Sequence, residues 1–145
     1  MNLTQFESYL RNLAPRVMEE CAKSDARVIQ EAMRLAVTYS SGPYKQAELT
    51  AAGHPYSRRA PNASYDPTII NAQSGVFRAS WVVPAQEHTA GGILTRCINT
   101  DPKAAYMLGT DRMVPRRIDT RVLTEIMPRR EAGLRDAVKR ALKAL

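Results

Sequence analysis

The chain has 145 residues, 44% of them hydrophobic and 24% charged, and carries a net charge of +7. Those values fit one basic globular domain that buries roughly two-thirds of its unfolded surface, and they exclude collagen, wholesale disorder and a disulfide-stapled mini-protein. The longest apolar run, Trp81–Ala85, is far short of the roughly 20 residues a membrane helix needs, and Met1–Glu7 lacks the basic start and apolar run of a secretory signal.

Thr4 followed by Glu7 has capping-box spacing and predicts a short helix over about Gln5–Leu13. Pro15 interrupts it, and proline suits the first position of a second helix. Val17, Cys21, Ser24, Val28, Ala32, Leu35 and Tyr39 then recur at steps of three and four, while Glu19, Lys23, Arg27, Glu31 and Arg34 take the other side. This pattern predicts a helix from Pro15 to Tyr39, roughly 35–40 Å long, so that residues 4–39 are helical. Ser40-Ser41-Gly42-Pro43 ends it.

Residues 40–74 read as an extended, projecting loop with Pro43, Pro55, Pro61 and Pro67 and no sustained period. Tyr44, Tyr56 and Tyr65 are interleaved with Arg58 and Arg59, which suits a protein or nucleic-acid contact as well as ordinary loop packing. Residues 75–127 form a β-sheet region. Its core is an antiparallel hairpin of Trp81–Pro84 and Ile93–Thr100, joined by a long loop with the turn signal Thr89-Ala90-Gly91-Gly92. Ala104–Leu108 is a helical turn closed by Gly109, and Arg112–Met127 fits a helix or a strand. After Pro128 a C-terminal helix spans 128–145, with Leu134, Val138, Leu142 and Leu145 as its apolar stripe. Arg135, Lys139 and Lys143 form a basic stripe, with Arg140 beside it. The fold class is α+β in one domain, 1–145: a long N-terminal helix, a small antiparallel sheet, a C-terminal helix and the projecting loop.

The positive charge is concentrated. Residues 1–50 carry six basic and six acidic side chains, whereas residues 112–145 carry ten basic and four acidic, a net of +6. Arg116, Arg117, Arg129, Arg130, Arg135, Lys139, Arg140 and Lys143 are therefore candidate contacts to nucleic acid or an acidic protein surface, or the solvated face of a helix. Cations near a helix C-terminus are also favourable without any partner. Catalytic chemistry has no visible constellation. His54 and His88 are each placed in a loop without a metal-spaced partner, and Cys21 and Cys97 read as buried free thiols. No phosphate loop, G-x-S-x-G elbow or H-E-x-x-H motif is present in the sequence. The reading is a non-enzyme with no cofactor and no metal.

Three stretches in order carry a resemblance. Ser74-Gly75-Val76-Phe77-Arg78-Ala79-Ser80-Trp81 resembles a T/S-G-x-L/F-R-x-S-W/I step after a long N-terminal helix. Asn99–Pro102 with Ala104-Ala105-Tyr106-Met107-Leu108-Gly109-Thr110 resembles an N-x-x-x-Y-A-x-x-L/V-E-x-G-T segment, with Leu108 at its usual acidic position. Met113-Val114-Pro115-Arg116 resembles the M-x-A/P-R-P step, with Arg117 where proline is common. Together, over roughly residues 10–145, they are similar to the neck or tail-completion proteins of tailed bacteriophages, the family that joins the DNA-filled head to the tail.

The resemblance implies a non-catalytic virion subunit, assembled in the host cytoplasm. It implies a homo-oligomeric ring, a hexamer or a dodecamer, around the DNA channel. The implied neighbours are head-completion, tail-terminator or tail-tube proteins. The charge separately supports an alternative: a DNA-binding module that contacts duplex through its C-terminal helix.

Overall fold

A computed structural model describes residues 2–42, 70, 74–89, 92–109 and 116–143. Helix α1 runs unbroken over Leu3–Tyr39. Its N-terminus is closed by Asn2 rather than Thr4. The Asn2 side chain accepts from the Gln5 N–H and the Gln5 side chain accepts from the Asn2 N–H, both at 2.9 Å. This reciprocal cap moves the helix start two residues upstream and places Thr4 and Glu7 inside the helix.

Pro15 lies within α1 and does not divide it, contrary to the two-helix expectation. Proline removes one backbone bond, to the carbonyl of Arg11. Both Arg11 and Pro15 are exposed, so water can replace that bond. At the other end, the hydroxyls of Ser40 and Ser41 fold back to donate to the carbonyls of Ala36 and Val37.

The short helix α2, Val76–Ala79, follows Gly75, whose φ of +82° favours glycine. Strands β1, Trp81–Val82, and β4, Ile98–Asn99, pair antiparallel with Trp81 opposite Asn99. Between them, β2, Glu87–Thr89, and β3, Gly92–Leu94, form a second antiparallel pair with His88 opposite Ile93. The expected hairpin is therefore two nested two-stranded ladders. Glu87 and His88 lie on a strand, not in a loop. Helix α3 covers Ala104–Leu108.

Helix α4 runs over Ile118–Lys143 and passes through Pro128. It begins ten residues before the expected start at 128, so the 75–127 region holds α2, α3 and the first turns of α4 as well as strands. The reason lies in packing. Ile118 and Ile126 are buried and Val122 is half-buried, which gives this segment an apolar face at helical spacing on the N-terminal side of the proline.

Helix α4 lies antiparallel along α1, and the two nested ladders flank this pair. The core gathers at the C-terminal end of α1, where Ala36, Tyr39, Ile70, Phe77, Met107 and Ile118 pack together. Trp81 is half-buried against them, edge-on to Phe77 at 5.9 Å, and its indole N–H donates to the Ser40 hydroxyl at 2.9 Å. Asn99 donates to the carbonyl of Phe77 and, through its side-chain oxygen, accepts from the N–H of Asp101. The motif segment 74–81 and the described part of the second, 99–109, thus meet in one core. The projecting-loop reading falls largely outside the described residues. Its two ends are tied together: Ile70 is fully buried, donates to the Tyr39 carbonyl and accepts from the Gly42 N–H. Among the described residues, no helix is long and apolar enough to cross a membrane.

Candidate interaction surfaces

The contact between α1 and α4 decides which charges face outward. Gly133 faces Ser24 so closely that a Cβ at 133 would lie 2.6 Å from the serine oxygen. Beside this crossing, the Nε–H and Nη2–H of Arg130 donate to the two carboxylate oxygens of Asp25 at 2.9 and 3.1 Å. Asp25 is buried, and this bidentate pair holds the Arg130 guanidinium still more firmly protonated. On the opposite rim of the contact, Arg140 donates to Glu20 at 2.9 Å and Arg129 pairs with Glu31. Arg140, and then Lys23, hold the Glu20 carboxyl below the usual carboxylate range. Nearer the core, the Tyr39 hydroxyl donates to Glu125 while Arg121 stacks 4.0 Å over the Tyr39 ring.

Three basic residues expected to face a partner are therefore turned toward α1. Arg129, Arg130 and Arg140 meet Glu31, Asp25 and Glu20 of that helix, of which the sequence pattern placed Glu20 and Glu31 on the solvated side. Arg116 is also corrected: it is buried in the turn before α4, where its backbone N–H donates to the Leu108 carbonyl. Arg117 is exposed. Arg135 and Lys139 are exposed and, among the described residues, make only i,i+4 and i,i+3 contacts to Glu131 and Asp136, at 3.9 and 3.6 Å. Lys143, in the last turn, is exposed. The 135/139/143 stripe is thus present, without Arg140. Tyr44, Tyr56, Arg58, Arg59 and Tyr65 lie outside the described residues.

Both thiols are free and half-buried, and burial raises each above its ordinary value, which suppresses the thiolate. No group of acidic, histidine or cysteine side chains among the described residues could hold a metal ion. A groove of about 250 Å³ runs between α1, α4 and β3, lined by Val28, Ile29, Ile93, Leu94, Leu123 and Met127. That is below the roughly 300–1,000 Å³ of ordinary small-molecule sites.

One apolar surface escaped the sequence reading, and a second, partly read as the apolar stripe of the C-terminal helix, is exposed while Ala137 and Ala141 take the buried positions. Leu3, Phe6 and Leu10 of α1 are exposed, at 74%, 44% and 47%. Leu123, Met127, Val138 and Leu142 form an exposed stripe on α4, about a quarter-turn round from the residues that face α1. The signal for the first was present: Leu3, Phe6, Leu10, Leu13 and Val17 recur at alternating steps of three and four. No family model, no curated protein and no solved structure matches this chain.

Proposed function

We propose that this chain is a structural subunit of the neck of a tailed bacteriophage, forming a ring that joins the DNA-filled head to the tail. The observation that carries the reading is the ordered set of three motif segments set on an α+β frame of long helix, small antiparallel sheet and C-terminal helix. Exposed apolar stripes on both long helices support it, because ring formation needs two different adhesive patches per subunit. In this role the protein acts by shape and repeated contact, since a closed ring multiplies modest interfaces. Electron microscopy tests it. Purified protein should form rings with a central channel, and particles assembled without it should show filled heads detached from tails. Normally joined tails in its absence would end the proposal.

A second reading, direct binding of duplex DNA, is favoured by one observation. Arg135, Lys139 and Lys143 are exposed, and the first two have only weak same-helix partners that a phosphate would displace. Its test is binding to duplex that weakens steeply with added salt.

A further inference from the structure

The two rims of the helix pair differ in what covers them. Beside the Asp25–Arg130 rim, β3 closes the apolar groove, and Gln86, next to β2, donates to the Ala22 carbonyl at 3.0 Å. The Glu20–Arg140 and Glu31–Arg129 rim lies on the other side of the contact. Arg27 is four residues before Glu31 and Arg34 three after it, so both stand beside that carboxylate on α1. Both are exposed, and neither forms an ion pair among the described residues, Glu31 being taken by Arg129. The other carboxylates of this rim are engaged too: Glu20 by Arg140 and Lys23, Asp136 by Lys139, and Glu125 by Tyr39 and Arg121. Lys143, three residues after Arg140, is exposed. Residues 1–50 carry no net charge, yet α4 occupies their carboxylates and leaves a surplus of arginine on this rim.

We propose that this rim binds the sugar–phosphate backbone of duplex DNA, with Arg27 and Arg34 of α1 joining Lys139 and Lys143 of α4. The proposal rests on the duplex reading above and adds α1 to a contact there confined to α4. Two observations choose the partner. One is length. Arg140 meets Glu20 and Arg129 meets Glu31, an antiparallel pairing that sets Lys143 level with about residue 17 of α1. From there to Arg34 the cations span about 25 Å at 1.5 Å per residue, the length of roughly seven base pairs. The other is polarity. Lys23, Arg27, Gln30, Arg34 and Thr38 recur along α1 at steps of three and four, all of them exposed and none apolar. A protein interface centres on apolar and aromatic side chains, whereas a phosphate backbone asks only for donors and positive charge. The planar guanidinium, with its fork of donors, matches phosphate in both respects.

Salt titration of the full chain against a short mixed-sequence duplex tests the proposal, read by fluorescence anisotropy, with circular dichroism as the folding control. Arg27→Gln and Arg34→Gln should each lower the log–log slope of affinity against salt by about one, equally for two duplexes of unrelated sequence. Arg27→Lys keeps the charge and should keep the slope. Arg11→Gln removes the same charge from the stripe that continues through Met18 and Ala22 on the side of Gln86 and His88, and should leave the slope unchanged. Arg27 and Arg34 variants that bind as the wild type overturn the proposal and leave the duplex reading standing on α4 alone. An Arg11 variant that lowers the slope as much also overturns it, because the effect is then one of bulk charge. Variants that keep duplex binding but lose self-association would give the rim to protein, which overturns it as well. A wild-type chain that binds no duplex at low salt overturns both this proposal and the duplex reading.

Discussion

Gly133 and Ser24 mark the closest approach of the two long helices. The clash that a Cβ at 133 would meet is with the serine oxygen at 2.6 Å, whereas the serine Cβ is 4.0 Å away. Gly133→Ala should lower stability by about 1 kcal/mol in the native background, because overpacking outweighs helix propensity. With Ser24→Ala the obstacle is gone, and the same substitution should stabilise by about 1 kcal/mol. Urea unfolding of the four combinations measures that reversal, and equal effects in both backgrounds would contradict it. The Asp25–Arg130 pair gives a second asymmetry. Asp25 has a side chain only 11% exposed, against 42% for Arg130. Arg130→Ala strands a carboxylate in the interior and should cost about 3 kcal/mol. Asp25→Ala leaves a guanidinium that can swing into water, and should cost about 1 kcal/mol. The same unfolding series decides the order.

Helix α1 and the C-terminal part of α4 were readable because their apolar residues recur at a helical period, and period survives whatever the partner is. Both prolines misled for one reason. Pro15 and Pro128 are exposed within long helices; the lost backbone bond is outweighed by packing on either side of Pro128, and by packing on the C-terminal side and the Asn2 cap on the N-terminal side of Pro15. The inner ladder was hidden because Glu87–Thr89 is exposed along its length and so has no apolar alternation to detect. Which way the arginines of α4 point was also unreadable, since charge in sequence does not reveal that Glu20, Asp25 and Glu31 lie across the contact.

The Glu20–Arg140 pair makes the association of α1 and α4 sensitive to acid. Glu20 has a lowered pKa in the folded chain, so the unfolded chain binds its proton more readily. Its contribution is present above the ordinary value of 4.5 and is lost as pH falls through the lower folded value. Glu20→Gln should therefore lower the melting temperature by a constant amount above about pH 4.5 and flatten its fall below that pH. A variant that keeps the full acid slope would show that the Arg140 contact contributes nothing there.

At the scale of the whole molecule, the excess charge divides into two populations with different work to do. Arg129, Arg130 and Arg140 hold α4 against α1, while Lys139 and Lys143 project from the last two turns of α4. Neither lysine is paired with α1 among the described residues, so their charge is separable from the contact between the two helices. In a ring around packaged DNA, such lysines repeat in every subunit, and their summed attraction for phosphate is large though each contact is weak. Reversal of both, Lys139→Glu with Lys143→Glu, should leave the oligomer intact. It should reduce duplex binding and lower the slope of binding against salt by about one for each lysine that meets a phosphate. Light scattering gives the first quantity and a salt titration with duplex gives the second. An oligomer that falls apart would mean that this face meets protein. Unchanged binding and slope would assign the duplex contact to other basic groups of the chain.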